Sequence, residues 1–315
     1  MKALRNKTIE IDAAEEKALL AKCIKVEKAV TEEAILDKTI LGDSFEVMEN
    51  LPHGFADLII ADPPYNLSKD FGGNKFKKSS FEEYEKYTES WVKAIYPLLS
   101  ENGSLYVCCD WESGMVIGNV LSKYFSVKNR ITWQREKGRG ALTNWKNGME
   151  DIWFATKGND YCFNVEAVKI RRKVLAPYKV EGKPKDWEET KDGNFRNTYP
   201  SNFWDDISIP YWSMPENTPH PTQKPEKLLA KLILASSNEG DTVFDPFLGS
   251  GSTSVTAKKL GRHFVGIEQN ETYCALTEKR LAMADGDKSI QGYTDGVFWE
   301  RNTGIIQKKY KKLQD

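Results

Sequence analysis

A doubly wound α/β fold with a mostly parallel sheet is predicted by three observations. Short apolar runs alternate along the chain with segments of helical period, the order that a sheet covered by helices requires. The run Leu58-Ile59-Ile60-Ala61 reads as a buried strand and passes directly into Asp62-Pro63-Pro64-Tyr65. A second run, Thr242-Val243-Phe244-Asp245, passes into Pro246-Phe247-Leu248-Gly249-Ser250-Gly251-Ser252-Thr253 and then a helical pattern. Ligands of open α/β sheets bind outside the carboxyl ends of the strands, so both turns lie where chemistry is expected.

Residues 12–38 have a helical pattern with Leu19, Cys23, Val26 and Val30 on one stripe. Thr39-Ile40-Leu41 reads as a strand leading to Gly42-Asp43-Ser44, where Asp43 can cap a helix beginning at Phe45. Residues 66–80 carry Gly72-Gly73 and Lys69, Lys75, Lys77 and Lys78 without periodicity, and read either as a loop that closes over a ligand or as a solvated lysine loop. Ser80 and Glu83 form a capping-box pattern, opening a helix with Trp91, Ile95 and Leu98 inward and Asn102-Gly103 at its end. Residues 104–109 and Ile131-Thr132-Trp133 are further strands. Residues 222–237 form a helix with Pro225 in its first turn and Leu228, Leu229, Leu232 and Ile233 buried, closed by Asn238-Glu239-Gly240. His263-Phe264-Val265-Gly266-Ile267 is a strand ending at Glu268, and from Asp285 the chain reads as an extension whose basic residues 308–312 belong to a solvated tail.

The residue types at the first turn suit an exocyclic amine. Two adjacent prolines fix φ twice and remove two N–H donors, leaving carbonyls beside the acceptor-only carboxylate of Asp62 and the aromatic face of Tyr65. An amine could give its two hydrogens to Asp62 and the Pro63 carbonyl while its ring stacks on Tyr65. A Pro-Pro turn that merely caps a strand is the alternative. At the second turn Gly249 and Gly251 allow close approach of a ligand to backbone, and Glu268, nineteen positions after Gly249, is placed to accept from a ribose diol. Ser254 stands where a dinucleotide fingerprint needs its third glycine, which disfavours NAD.

The chain carries 40% hydrophobic residues, enough for a full core, and no apolar run of membrane-spanning length or signal-peptide pattern; a soluble intracellular protein with no membrane partner is expected. Five cysteines without C-x-x-C spacing and three histidines support neither a disulfide framework nor a metal site. Net charge is −1, but residues 128–200 hold 16 basic against 10 acidic residues, net +6, while the remainder is net −7. Locally positive surface of this kind can meet phosphate. Residues 138–219 interleave basic and aromatic side chains, as phosphates and exposed bases both require: Trp145, Lys146, Lys169, Arg171, Arg172, Lys173, Trp187, Arg196, Trp204 and Trp212. Most of the tryptophans are expected in the core of that segment. Lys169, Arg171, Arg172 and Lys173 are candidate phosphate contacts; Arg135, Arg139, Lys146 and Arg196 are candidate base readers, and Lys69 a further candidate contact of the same kind.

The stretches Asp62-Pro63-Pro64-Tyr65-Asn66, His220-Pro221-Thr222-Gln223-Lys224-Pro225 and Asp245-Pro246-Phe247-Leu248-Gly249-Ser250-Gly251 resemble, in this order, the motifs of the S-adenosylmethionine-dependent amino-methyltransferases of DNA. Catalytic motif first and cofactor motif late resembles the permuted β group. The resemblance implies a Rossmann-like class I methyltransferase with an inserted target-recognition region. Its parts would be residues 1–38 as a helical extension, 39–137 as the catalytic half, 138–219 as target recognition, 220–284 as the cofactor half, and 285–315 as a C-terminal extension. The resemblance also implies a catalytic set of Asp62, Pro63, Pro64 and Tyr65. The implied cofactor set is Asp43 near the adenine, Thr222, Gln223 and Lys224 along the methionine end, and Asp62, Asp245, Pro246, Phe247, Gly249, Ser250, Gly251, Ser252, Thr253 and Glu268.

The implied reaction is transfer of the sulfonium methyl to N6 of an adenine flipped out of double-stranded DNA, without a metal. Family members acting on cytosine N4 more often carry Ser at the place of Asp62, so Asp favours adenine; cytosine N4 is the nearest rival. Enzymes of RNA or of protein glutamine more often begin the motif with Asn, and a catalytically silent DNA-binding protein would not need Asp62, Tyr65, Gly249, Gly251 and Glu268 together. None of the cysteines follows a proline, so carbon methylation through a Pro-Cys nucleophile does not fit. Dimers are common in this group, a cognate restriction endonuclease is a further expected partner, and the expected location is the cytoplasm, on the nucleoid of a prokaryote or on phage DNA.

Overall fold

The computed structural model describes residues 5–67, 69–71, 74–76, 78–135, 142–174, 179–181, 183–304 and 306–307, with 69–71, 74–76 and 183–184 described by backbone alone. Among these, eight strands form one sheet: β1 (Lys38–Leu41), β2 (Ala56–Ala61), β3 (Leu99–Cys109), β4 (Ser126–Gln134), β5 (Met149–Thr156), β6 (Phe203–Trp204), β7 (Thr242–Asp245) and β8 (His263–Glu268). Their spatial order is β1-β8-β7-β2-β3-β5-β4-β6. Strands β1, β8, β7, β2 and β3 are parallel, β5 runs antiparallel to both β3 and β4, and β6 pairs parallel with β4.

Helices cover both faces, because successive strand residues point to opposite sides. From β2, Ile59 and Ala61 pack with Trp91, Val92 and Ile95 of α3 (Phe81–Ile95) and with Val116, Ile117 and Val120 of α4 (Trp111–Tyr124). Leu58 and Ile60 pack on the other face with Leu228, Leu229 and Leu232 of α5 (Glu226–Ser236) and Val255 of α6 (Ser252–Lys259). Each such burial contributes roughly 1.5–3 kcal/mol, and a strand apolar on both faces is what a central parallel strand needs. The chain leaves β2 through α3 for β3 on one side and leaves β7 through α6 for β8 on the other. Sheet order therefore reverses between β2 and β7, the two strands that end in the prolines and in the glycine turn.

Several elements differ from expectation. The N-terminal helix spans only Ala13–Leu20, capped by Asp12 accepting from the Glu15 N–H at 2.8 Å, because the alternation of Ile24 and Val26 favours extended chain and Ile24 bridges Ile40 of β1. Helix α3 keeps its capping box but gives way at Tyr96–Leu98, where Pro97 cannot continue it, and Asn102-Gly103 fall inside β3. Pro225 is the N-cap of α5 rather than a residue of its first turn. Residues 69–71 and 74–76 pair as an antiparallel hairpin, while Gly72, Gly73 and Lys77 lie outside the described residues.

The segment 138–219 is not one separate insertion, since Met149–Thr156 occupies an interior position of the main sheet. What stands apart is a five-stranded sheet of Glu188–Thr190, Gly193–Thr198, Ile170–Lys173, Val297–Trp299 and Tyr293–Thr294. Its last two strands come from beyond Asp285, so this part of the extension is structural, with Phe298 and Trp299 fully buried. Trp187 and Trp204 are buried as expected, whereas Trp145 and Trp212 are exposed. Among the described residues no helix is long and apolar enough to cross a membrane.

Candidate active site

At the reversal between β2 and β7 lies a cavity of about 250 Å³ lined by both turns, by residues 220–224 and by the ends of β5 and β8. The proline turn is rigid: the Tyr84 hydroxyl donates to the Pro64 carbonyl at 3.1 Å, and Asn66 pins Ser79 by accepting from its N–H at 2.8 Å. The two oxygens of Asp62 are both engaged. Oδ1 accepts from the Tyr65 hydroxyl at 2.8 Å and Oδ2 from Lys224 Nζ at 2.5 Å. The same Nζ lies 3.2 Å from the Tyr65 oxygen, 5.4 Å from the centre of its ring and 3.5 Å from Glu150 Oε2. Burial alone would lower the Lys224 ammonium, but the Asp62 and Glu150 carboxylates outweigh it and hold it above the ordinary lysine range.

On the other side the glycine turn is fixed by its neighbours. Gly251 has φ +80°, and a Cβ there would stand 2.5 Å from the Thr277 side chain; Gly249, at φ +56°, donates its N–H to Glu268 Oε2 at 2.8 Å. The Asn270 N–H donates to the other oxygen of Glu268 at 2.8 Å. Burial pushes Glu268 up to about 6 against the pull of those amides. Asp245 accepts from Thr253 Oγ1 at 2.6 Å and from the Phe247 N–H at 2.9 Å, and burial pushes it up to about 7. Behind the turn the buried Arg280 donates to the Ser250 carbonyl at 2.7 Å and the Ser252 hydroxyl at 3.0 Å, and pairs with Glu226 at 3.0 Å.

The expected residues divide accordingly. Asp62, Pro63, Pro64, Tyr65, Thr222, Gln223, Lys224, Asp245, Phe247, Gly249, Ser250, Ser252, Thr253 and Glu268 line one cavity. Asp43 does not: it accepts from the Phe45 and Glu46 N–H groups as the cap of Ser44–Met48, and Ser44 reaches the cavity in its place. Gln223 lines the wall but spends its amide on Thr218 and Glu216. Lys224 is joined to Asp62, not to the glycine-turn side. Glu150 escapes sequence reasoning; it carries no motif, and its only signal is a Glu-Asp pair, Glu150-Asp151, near the start of an otherwise apolar strand.

The expected DNA contacts scatter. Arg135 lies in the cavity wall, ion-paired to Glu150 Oε1. Arg171 is 2% exposed, between the rings of Phe195 and Trp299 and paired with Glu188 at 2.6 Å, so it is a core residue rather than a phosphate contact. Lys169 pairs with Glu166, Arg172 with Asp205 and Arg196 with Asp186, each on the outer surface, and Lys146 and Lys173 are exposed. Arg139 and the basic residues 308–312 lie outside the described residues, as does the side chain of Lys69.

The sequence matches the DNA methylase family (N6_N4_Mtase) over residues 56–279. It is 32% identical to the type II methyltransferase M.HpaI of Haemophilus parainfluenzae over 87% of this chain and 83% of that one. It is 35% identical to the DNA adenine methyltransferase YhdJ of Escherichia coli (strain K12) over 78% of this chain and 83% of that one. Two solved structures share the fold. One is the PvuII DNA methyltransferase (cytosine-N4-specific), at TM-score 0.56 and 15% identity over 84% of this chain and 95% of that one. The other is a putative DNA modification methylase from Thermus thermophilus, complexed with S-adenosyl-L-methionine, at TM-score 0.52 and 19% identity over 84% and 98%.

Proposed function

The chain belongs to the DNA methylase family, and from that membership we propose that it methylates N6 of an adenine turned out of duplex DNA, using S-adenosylmethionine. The observation that carries the reading is that Asp62 and Tyr65, at the end of β2, line one cavity together with Gly249 and Glu268. The adenine specificity of YhdJ and the Asp at position 62 both favour adenine over cytosine.

The cavity suits a cationic ligand. Asp62 and Glu150 are paired with Lys224 and Arg135, while Asp110, Asp245 and Glu268 line it without a basic partner among the described residues. A molecule carrying a sulfonium and an ammonium answers that excess of negative charge. Glu268 already accepts one amide on each oxygen and keeps acceptor capacity for a pair of ribose hydroxyls. The glycine turn lets the ligand approach backbone, with Asp245 and Arg280 holding it in shape. S-adenosylmethionine, when bound, supplies an electrophilic methyl group.

The protein then has three tasks. The Tyr65 ring and the pocket must repay the cost of extruding the base, on the order of a few kcal/mol. The rigid proline turn aligns the amine, and alignment of two reactants is worth up to roughly 7–11 kcal/mol. In this reading Asp62 accepts one amine hydrogen and the Pro63 carbonyl the other; as the N–C bond forms and the methyl–sulfur bond breaks, Asp62 stabilises the positive charge that develops on nitrogen, and the surplus amine proton leaves to solvent. A cognate restriction endonuclease belongs to the same reading, in line with the type II designation of M.HpaI; homodimerisation and a place on the nucleoid or on phage DNA complete it as expectations. Labelled cofactor incubated with unmethylated DNA, followed by digestion to nucleosides, tests the reaction: N6-methyladenine is expected, and label in N4-methylcytosine alone, or only in RNA or protein, overturns the assignment.

A further inference from the structure

Asp62 meets a substrate amine with Tyr65 on Oδ1 and the Lys224 ammonium on Oδ2 at 2.5 Å, and a cation on that oxygen opposes the positive charge the amine gains during transfer. Lys224 must give way, yet its side chain is only 8% exposed, so it cannot simply turn to solvent. A buried ammonium without an acceptor is strongly unfavourable. Among the described residues one other carboxylate is within reach. Glu150, equally buried, has Oε2 at 3.5 Å from Lys224 Nζ, too long for a charge-assisted hydrogen bond, and that oxygen has no hydrogen-bond partner among the described residues. Its other oxygen is anchored by Arg135, so the group is held in place with one acceptor to spare.

We propose that Glu150 is a positioning residue that takes over the Lys224 ammonium when the target amine engages Asp62. The inference deepens the methyltransferase reading and rests on it. In this exchange no bond is made or broken covalently: the ammonium closes on Glu150 Oε2, Asp62 Oδ2 is released, and the incoming N–H replaces the lysine there. Buried charge stays paired throughout. A purely structural Glu150, present only to neutralise Arg135, would use Oε1 and leave the occupancy of Asp62 unaffected.

The test is single-turnover methyl transfer to unmethylated bacterial DNA by the full chain, with cofactor affinity and melting temperature recorded for every variant. Glu150→Gln is expected to slow transfer by about 10- to 100-fold with cofactor affinity changed less than about threefold, because the lysine stays on Asp62. In a Lys224→Met background the same change is expected to cost less than about threefold, since no ammonium is left to relocate. Multiplicative losses in the double variant, or a Glu150→Gln enzyme as fast as wild type, overturn the inference. Where Lys224→Met alone abolishes transfer, Glu150→Asp decides: recovery of at least about tenfold over Glu150→Gln supports a carboxylate acceptor, and no recovery overturns it. Absence of transfer by wild type would overturn the functional reading itself, a result distinct from an active wild type with multiplicative losses.

Discussion

The Gly249 amide lies 2.8 Å from Oε2 of Glu268, tying the turn after β7 to the end of β8. Two adjacent parallel strands thereby present one ledge, whereas Asp62 belongs to the turn that follows β2. This separation of a ledge from a reacting carboxylate implies that binding and chemistry can be disabled independently.

Asp62→Ala is accordingly expected to leave cofactor affinity nearly intact while lowering single-turnover transfer by at least about two orders of magnitude, the scale of one lost electrostatic contact in a transition state. Glu268→Ala is expected to do the reverse, weakening cofactor binding through loss of a charge-assisted acceptor. Titration calorimetry combined with single-turnover kinetics separates the two, and a reversed pattern would mean that the site is assigned the wrong way round.

The raised position of Glu268, about 6 in the folded protein, gives cofactor binding a pH dependence of known sign. Binding that needs the ionised carboxylate weakens as pH falls through 6, by about tenfold per pH unit below it. For the unliganded protein the sign is opposite. A carboxyl whose folded value is raised binds its proton more tightly than the unfolded chain does, so its contribution to stability declines as pH climbs from 4.5 to 6. Calorimetric titration between pH 5 and 8 should show the affinity trend in wild type and lose the component near pH 6 in Glu268→Gln, leaving only what Asp245 contributes near 7; a wild-type profile flat through pH 6 contradicts the role given to Glu268.

Gly251→Ala tests the ledge from its other end. A left-handed φ of +80° costs an alanine roughly 1–2 kcal/mol by itself. The added Cβ would also stand 2.5 Å from the buried Thr277 side chain, so one of the two must move. Denaturant unfolding is expected to show a loss of about 1–3 kcal/mol, together with weaker cofactor binding. Unchanged stability would mean that the turn relaxes more easily than its contacts indicate.

The parts of this fold that local chemistry dictates were legible in the sequence. Apolar runs such as Leu58 to Ala61 require burial on both faces, the Ser80–Glu83 capping box sets its own helix start, and the proline and glycine turns advertise their geometry. What escaped depends on distant partners. Arg171 reads as a surface charge until Phe195 and Trp299 close over it, and Trp299 arrives from a segment that reads only as a C-terminal extension. Glu150 becomes notable only because β5 folds back between β3 and β4 and delivers it beside Lys224, 74 positions later in the chain. Asp43 was ambiguous for a local reason, because the same carboxylate that could face a ligand also satisfies the helix N-terminus, and the nearer partner won.

The basic surface of the second sheet offers a test in which burial alone separates neighbours in sequence. Lys169, Arg172 and Lys173 have side chains at the surface, and where they meet phosphate each removed charge is expected to reduce the slope of log K against log salt by about 0.9, on any duplex. Arg171 lies between Arg172 and Ile170 in sequence but is sealed among aromatic rings. Its loss should leave that slope unchanged and instead cost about 2 kcal/mol or more of stability, through lost packing and desolvated cation–π contact. Arg196 and Lys146, outside that cluster, and Arg135 in the cavity wall are the described candidates for base reading, and losing a reader would cost about 1–3 kcal/mol on the cognate site alone with little change in slope. Binding isotherms at several salt concentrations on cognate and unrelated duplexes, paired with melting curves, distinguish the three behaviours. An unchanged slope after removal of Lys169, Arg172 and Lys173 together would show that this face is only solvated and that DNA approaches the cavity from another direction.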